Sequence, residues 1–271
     1  MRRDSCAAIV AGALQAMARD EEAVILVLAA DHHVPDAAAF AACVAEAVPA
    51  AEAGLLVTFG IKPRSPATGY GYIMPGEAVS GAVRRLQKFV EKPDHDTAVR
   101  YIADGYLWNS GNFLYKAKSF IAEAKVLIPD VVAAVAASLK DAERDRDFIR
   151  LDEKCFAKSP QIAVDFAIME KTTKAAVLPV SYEWNDIGSW DAVAGSLPVD
   201  DHGNAVVGDG VIEGSRNVFV HSDGMLTTVL GCDDIIVVTT KDAVLVTKRG
   251  ATEKVKALVD QLKAAGRDPL L

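Results

Sequence analysis

The chain has 271 residues, of which 51% are hydrophobic and 24% charged, and a formal net charge of −8 at pH 7. This length can bury a large core, and the acidic balance without a dense Lys/Arg block disfavours nucleic acid and acidic membranes as partners. The four cysteines are widely spaced, and neither a signal region nor a membrane-length apolar stretch is evident. We therefore expect a cytoplasmic protein with reduced thiols.

Residues 24–34, VILVLAADHHV, form a dense apolar run that ends in Asp31, His32 and His33. Such a run predicts a parallel strand that helices cover on both faces. Ligands of open α/β sheets lie beyond the carboxyl ends of these strands, so Asp31 is a candidate site residue. Capping of the next helix is the alternative for Asp31, but Asp36 is better placed as the cap. For the two histidines we expect a structural or exposed role.

Helices and strands follow one another through the first two thirds of the chain. A helix that Asp4 or Ser5 caps leads to Arg19, and a short helix from Asp96 or Thr97 ends at Gly105. The other predicted helices cover residues 37–48, 117–139 (two short helices) and 162–172. The predicted strands cover residues 54–60, 83–90 and 175–180, and the first of them closes a βαβ unit. Residues 61–72 read as a loop, and residues 140–150 as a solvated helix end or surface loop.

After Leu197 the pattern changes to short Val/Ile/Thr runs between Gly, Asp and Asn turns. This alternation predicts a small all-β unit, with closely spaced turns like those of a β-solenoid. An amphipathic helix over residues 251–265 closes the chain. We place the domain boundary near Pro198, which gives domains of residues 1–198 and 199–271.

Several polar residues follow predicted strands or lie in turns. Asp31 and Asp186 can share one Mg²⁺ through oxygen ligands. Lys92 can neutralise a phosphate while Glu91 accepts sugar hydroxyls, although an exposed strand-end pair is the alternative. Asn109 lies in a predicted loop and suits hydroxyl recognition, but Asn is also an ordinary turn former. Lys62 and Arg64, in the predicted loop of residues 61–72, are further candidates.

Six stretches resemble, in order, the successive motifs of one family: AADHHV, FGIKPRSPATGYGYI, FVEKP, YLWNSGNFLY, VDFAIMEKT and YEWNDIGSWDAV. They resemble the mannose-1-phosphate guanylyltransferases, particularly the bacterial type whose longer members also carry a mannose-6-phosphate isomerase domain. The resemblance extends from Arg2 to the end of the chain. The later stretches DDHGNAVVGDG and VVTTKDAVLVTKRG resemble the small β-helical segment of that family.

The resemblance implies an α/β fold, with a Rossmann-like nucleotide-diphospho-sugar transferase domain, a small β-helical segment and a C-terminal helix. It implies that GTP and mannose 1-phosphate are joined to give GDP-mannose and pyrophosphate, with Mg²⁺ as the cofactor and a homo-oligomer as a possible assembly. Alignment, charge neutralisation and metal binding supply the catalysis of such a reaction, so no covalent nucleophile is needed.

The resemblance also assigns roles residue by residue. Asp31 and Asp186 become catalytic magnesium carboxylates, Glu91 and Asn109 become mannose contacts, and Lys92 lies near the sugar phosphate as a further catalytic residue. Two more residues contribute to substrate binding. Gly71 allows close approach of the sugar nucleotide, and Arg3 belongs to a segment near the base.

One motif of the family has no counterpart in this sequence. The glycine-rich loop that cradles the triphosphate is not found before Asp31, and the sequence ends where the isomerase domain of the longer members begins. We therefore expect the sequence to match the middle of such a protein and to be active only when the first part is supplied. The alternatives are a non-catalytic sugar-nucleotide-binding or assembly subunit and a nucleotidyltransferase for another sugar.

Overall fold

The computed structural model describes residues 2–267, in two units that are described separately. The first unit contains residues 2–30 and 34–184, and the second contains residues 31–33 and 185–267. Apart from residues 31–33, the second unit begins at Asn185, which lies before the predicted domain boundary near Pro198.

The first unit is a mixed sheet with helices packed against it. Its helices are α1 (Asp4–Arg19), α2 (Ala37–Glu52), α3 (His95–Ala103), α4 (Ala117–Leu127), α5 (Pro129–Lys140) and α6 (Glu153–Phe156). Its strands are β1 (Val24–Val27), β2 (Leu56–Ile61), β3 (Tyr72–Ser80), β4 (Val83–Val90), β5 (Leu107–Lys116), β6 (Glu143–Asp145), β7 (Phe148–Arg150) and β8 (Ala175–Val180). The main sheet has the order β1-β5-β2-β8-β4-β3, and β3 also pairs with β5.

The direction of β1 corrects the prediction for residues 24–34. Strand β1 pairs antiparallel with β5, and its four residues are half-buried rather than covered on both faces. Because β2 is also antiparallel to β5, β1 and β2 run parallel to each other with β5 between them. The β1–α2–β2 unit therefore has the predicted direction, but its two strands do not pair. An apolar run indicates burial and says little about the direction of the neighbouring strand.

Strands β2, β4 and β8 confirm the sequence prediction. Every residue of β2 is buried, and β2 pairs in parallel with β8. Alternate residues of β5 enter two different hydrophobic clusters: Phe113 and Tyr115 pack with α1, α4 and α5, whereas Leu114 packs with β2 and α2. Since successive strand residues point to opposite faces, the core lies on both sides of the sheet.

The N-cap residue of α2 was predicted correctly, and that of α1 was not. Asp36 caps α2 as expected, because its Oδ1 accepts a hydrogen bond from Ala39 N at 2.9 Å. Neither Asp4 nor Ser5 caps α1, whose N-cap residue is Arg3 without a side-chain capping bond. These two predicted caps are wrong because the Asp4 carboxylate accepts from the N–H of its neighbour Ser5, and the Ser5 hydroxyl accepts from Val164 N.

Helix α3 begins earlier than predicted. Its cap is Asp94, which accepts from Thr97 N at 2.9 Å, so the predicted caps Asp96 and Thr97 lie within the first turn. The two helices predicted for residues 117–139 are confirmed, and the second begins at Pro129.

Four further segments differ from the predictions. Helix α2 continues beyond residue 48 to Glu52, and β3 follows the loop of residues 61–72 without having been predicted. Residues 143–150 form an exposed β6–β7 hairpin instead of a helix end or a simple loop. The helix predicted for residues 162–172 is reduced to a single π-helical turn, Asp165–Met169.

The second unit is largely β-structure, as predicted. It contains α7 (Trp190–Gly195), strands β9 (Ala205–Val207), β10 (Gly210–Glu213), β11 (Phe219–Ser222), β12 (Thr227–Leu230), β13 (Ile235–Thr239) and β14 (Val244–Lys248), and helix α8 (Val255–Ala264). Parallel pairs join β9, β11 and β13 in one sheet and β10 and β12 in another, whereas β14 is antiparallel to β13. Across residues 2–267, no helix combines the length and the apolar character needed to cross a bilayer.

Gly208 is the most constrained glycine of the second unit. A Cβ at this position would lie 2.0 Å from the carbonyl oxygen of Ser222, and the residue has φ +86°. We predict that Gly208→Ala lowers the free energy of unfolding by ~3 kcal/mol or more, because both backbone clash and left-handed strain are introduced. Equilibrium urea unfolding measures this loss.

Gly224→Ala is the matched control, since Gly224 has φ +87° and nothing lies within 4 Å of the added Cβ. It carries only the conformational cost, roughly 1–2 kcal/mol. Equal losses for the two variants would contradict the assigned clash.

Candidate active site

Asn109 lies within β5 and is buried, so its prediction as a loop residue is wrong. Its backbone N–H donates to the carbonyl of Gly71 at 2.8 Å. Its Oδ1 accepts from Thr58 Oγ1 at 2.8 Å, and its Nδ2 donates to Asp165 Oδ1 at 2.9 Å. The stretch NSGN is typical of turns, but cross-strand pairing of Asn109 with Gly60 of β2 overrides that local preference.

Glu91 packs directly against Gly71. A Cβ on Gly71 would lie 2.4 Å from Glu91 Oε2 and 3.4 Å from Asn109 Cβ. The side chain of Glu91 is only 11% exposed, whereas that of Lys92 is 62% exposed, and the two form an ion pair at 3.1 Å. The structure therefore brings Gly71, Glu91 and Asn109 together, which are three of the predicted substrate-binding residues. The alternative of an exposed strand-end pair does not describe Glu91, because its side chain is largely buried.

Asp165 is a candidate that the sequence analysis missed. It begins the π-helical turn, and it is half-buried beside Asn109. Burial and the negative charge of Glu91 raise the pKa of Asp165 to about 6, against the opposing effects of the Asn109 hydrogen bond and Lys92. The stretch VDFAIMEKT reads as an ordinary mixed-charge helix, and only the structure shows the π-helical turn, a feature that is frequent at functional sites.

The second unit holds the two predicted metal carboxylates on adjacent segments. His33 N donates to Asn185 O at 2.8 Å, and Asn185 N donates to His33 O at 3.0 Å, which places the two segments side by side. Burial lowers the pKa of His32, and the charges of Asp31 and Asp186 both oppose this shift. Both carboxylates are thus close enough to act on the same imidazole.

Asp186 is held by its own turn. Its Oδ1 accepts from Gly188 N at 3.1 Å, and a Cβ on Gly188 would lie 2.7 Å from Asp186 Oδ2. Asp31 is exposed and Asp186 is half-buried. Within the described part of the chain, no cluster of three or more His, Cys, Asp or Glu side chains suits a metal. Two carboxylates alone fit Mg²⁺, which retains water and binds substrate phosphates.

Arg3 and Arg64, two further predicted residues, form contacts within the first unit. Arg3 Nη2 donates to the carbonyl of Ala157 at 2.5 Å, so this guanidinium is tied to the end of α6. Arg64 forms an exposed ion pair with Glu183 at 3.1 Å. Surface pairs of this kind contribute little to stability.

A pocket of about 490 Å³ opens in the first unit between α1 and β1. Asp165 and Ser5 are the polar side chains in its lining, which otherwise consists of glycine and apolar residues such as Ile9, Val27 and Phe113. A sugar phosphate needs more hydrogen-bonding partners than this lining offers. The candidate site is therefore defined by the polar residues around Asn109 and not by this pocket.

Two family models match the sequence. The model described as nucleotidyl transferase covers residues 2–196, which is most of the chain. The chain belongs to the nucleotidyl transferase family. A second model, described as the MannoseP isomerase/GMP-like beta-helix domain, covers residues 208–262 and agrees with the β-strands of the second unit.

Individual proteins are also similar to this chain. The mannose-1-phosphate guanylyltransferase of Escherichia coli K12 is 42% identical over 98% of this chain and 57% of its own length. The xanthan biosynthesis protein XanB of Xanthomonas campestris pv. campestris B100 is 43% identical over 98% of this chain and 56% of its own length. The chain thus spans just over half of these two proteins.

A solved structure from Thermus thermophilus supports the fold. It is described as a mannose-1-phosphate geranyltransferase and is 32% identical, with a TM-score of 0.85 over 97% of this chain and 76% of its own. This similarity confirms the predicted fold class, a nucleotidyl transferase domain followed by a β-helical segment.

The raised pKa of Asp165 predicts a pH-dependent stability cost. The unfolded carboxyl ionises near 3.8 and the folded one near 6, so folding becomes less favourable as pH rises through this window. We predict that Asp165→Asn raises the free energy of unfolding by roughly 1–3 kcal/mol above pH 6 and by little below pH 4. Urea unfolding at several pH values measures the difference.

Asp104→Asn is the control, because Asp104 is an exposed aspartate at the end of α3. This variant shows how the loss of one exposed carboxylate from the same unit affects stability. A constant difference between Asp165→Asn and wild type from pH 4 to pH 7 would contradict the assignment.

Proposed function

We propose that this chain carries the catalytic part of a mannose-1-phosphate guanylyltransferase, which joins GTP and mannose 1-phosphate to give GDP-mannose and pyrophosphate. The activity for which the E. coli relative is named supports the reaction. The observation that carries the proposal is the packing of Glu91 against Gly71 beside the buried Asn109. None of the relatives described above supports a non-catalytic subunit.

Glu91 and Asn109 offer complementary groups to a sugar. An ionised carboxylate only accepts hydrogen bonds, and a carboxamide nitrogen donates them, so the two residues can bind neighbouring hydroxyls with a defined orientation. Lys92 keeps an exposed ammonium group next to Glu91. In the proposed function this ammonium neutralises the phosphate of mannose 1-phosphate.

Asp31 and Asp186 are the proposed ligands of Mg²⁺. The support is that the His33–Asn185 bridge places the segments of the two aspartates side by side. Two carboxylates leave coordination positions of Mg²⁺ for phosphate oxygens. Bound Mg²⁺ supplies neutralisation of the triphosphate charge. The segment of Arg3 is proposed to lie near the guanine base.

The proposed reaction is an in-line displacement. An oxygen of mannose 1-phosphate forms a bond to the α-phosphorus of GTP, and the bond from that phosphorus to the bridging oxygen breaks as pyrophosphate leaves. The protein contributes alignment of the sugar phosphate by Glu91 and Asn109 and charge neutralisation by Lys92. No side-chain nucleophile takes part.

We also propose a cytoplasmic compartment and a homo-oligomeric assembly. All four cysteines are free thiols, which supports a reducing cytoplasmic compartment. A homo-oligomer is supported by the second unit, where Val244 and Val246 of β14 expose 61% and 62% of their surface.

The proposed reaction predicts Mg²⁺-dependent release of pyrophosphate when the full-length protein receives both GTP and mannose 1-phosphate. Asp31→Asn and Asp186→Asn should each lower kcat by ~100-fold, because a charge-stabilising ligand is removed. Asp201→Asn, at an exposed position of the same unit, is the control with unchanged turnover. Wild-type protein that releases no pyrophosphate would refute the proposed reaction, and undiminished turnover of Asp186→Asn would refute its metal site.

Gly71 provides a second test. In Gly71→Ala the new Cβ must displace the Glu91 carboxylate, so we expect KM for mannose 1-phosphate to rise by ~10-fold with little change in KM for GTP. Steady-state kinetics measures both constants. Gly69→Ala is the matched control, because nothing lies within 4 Å of its added Cβ. Equal kinetic effects of the two variants would show that Gly71 is not needed for the position of Glu91.

A further inference from the structure

The carboxamide of Asn109 is held at both ends. We call Thr58, Asn109 and Asp165 the Asn109 network. Thr58 Oγ1 lies 2.8 Å from Asn109 Oδ1 and 3.0 Å from the carbonyl oxygen of Asn112, so its single hydroxyl proton is shared between these two acceptors. Asn109 Nδ2 donates to Asp165 Oδ1 at 2.9 Å. Thr58 is completely buried, and Asn109 is 8% exposed. A buried polar side chain lowers the stability of the fold unless its hydrogen bonds are satisfied. The orientation of the amide that satisfies them is therefore the one that the folded protein keeps.

The hydrogen bonds of the Asn109 side chain show which of its donors and acceptors remains for a ligand. Its Oδ1 accepts from Thr58 and, at 3.3 Å, from Gly111 N, which uses both lone pairs. Its Nδ2 has two N–H groups, and Asp165 takes one of them. A flipped amide would place Oδ1 against the Asp165 carboxylate, where two acceptors repel each other. Asn109 thus retains one N–H and offers a donor, not an acceptor.

Asp165 itself is fixed by its surroundings. The turn that it begins is anchored by Ala167, Ile168 and Met169, which are all buried. The residue before it is held from α1, because Val164 N donates to Ser5 Oγ at 3.0 Å. The carboxylate of Asp165 is therefore a fixed acceptor rather than a mobile surface group.

We propose that Asp165 is a positioning residue for sugar recognition, which orients the Asn109 carboxamide so that its remaining N–H donates to a hydroxyl of the sugar phosphate. This inference rests on the proposed function, because it assigns the ligand of Asn109 to that substrate. Asp165 acts through Asn109 and makes no contact with the reacting phosphates. Its role explains why a half-buried acid lies beside Glu91 in spite of the repulsion between the two carboxylates.

The decisive comparison is between substitutions that keep and remove the acceptor. Asn at position 165 still accepts from Asn109 Nδ2 through its side-chain oxygen, whereas Ala does not. We expect Asp165→Ala to weaken mannose 1-phosphate binding by ~10-fold, and Asp165→Asn to stay within ~3-fold of wild type. GTP affinity should not change in either variant. Titration calorimetry of the full-length protein with each compound gives these affinities.

Thr58 tests the network from its other end. Thr58→Val keeps the shape of the side chain and removes the hydroxyl donor, whereas Thr58→Ser keeps it. We expect only the first variant to weaken mannose 1-phosphate binding. Asp104→Ala controls for loss of an exposed negative charge in the same unit. Thermal melts accompany every variant, and if Asp165→Ala does not fold, the Thr58 pair decides.

A double-mutant cycle separates positioning from a purely structural role. In an Asn109→Ala background, Asp165→Ala should cost no further affinity, because the group that it orients is already absent. Additive losses would overturn the inference, as would wild-type affinity in both Asp165→Ala and Thr58→Val. If the wild-type protein binds neither mannose 1-phosphate nor GDP-mannose, the proposed function fails and the inference falls with it.

Discussion

The pairing of β5 is the constraint on which the first unit depends. Trp108 pairs with both Ile61 of β2 and Tyr72 of β3, so β2 and β3 lie on opposite edges of β5. Further along, β5 pairs with β1 as well. Asn109 follows Trp108 and pairs with Gly60 of β2 on one edge. On the other edge, its backbone N–H donates to the carbonyl of Gly71. The register of these strands therefore sets the position of the Asn109 carboxamide. Because the sheet is rigid, it holds the proposed sugar-binding group in a fixed place.

Much of the fold could be predicted because burial leaves a clear sequence pattern. The apolar runs of β2 and β8, the Asp36 cap and the helix start at Pro129 depend on local chemistry, and all were predicted correctly. The antiparallel direction of β1 could not be predicted, since it depends on which strand lies beside it. Strand β5 was not recognised because NSGN is a turn-like sequence, and only its long-range pairing makes it a strand.

The candidate site was predictable to a similar extent. Resemblance to family motifs selected Gly71, Glu91 and Asn109, and the structure shows them together. The structure also explains why position 71 is a glycine: the Glu91 carboxylate occupies the space that a Cβ would need. Asp165 was missed because its importance arises from a contact between residues 56 positions apart. A mixed-charge segment that reads as an ordinary helix gives no sign of such a contact.

The central claim, that the Asn109 carboxamide recognises the sugar, can be tested by NMR of the side-chain amide groups. The Asn109 signal can be assigned by its loss in Asn109→Ala and followed during titration of the full-length protein with mannose 1-phosphate. We predict that this signal shifts and saturates, while the Asn204 amide, bonded within the second unit to Asp200 and Ser215, does not. An Asn109 signal that stays unchanged while mannose 1-phosphate binds would contradict the account.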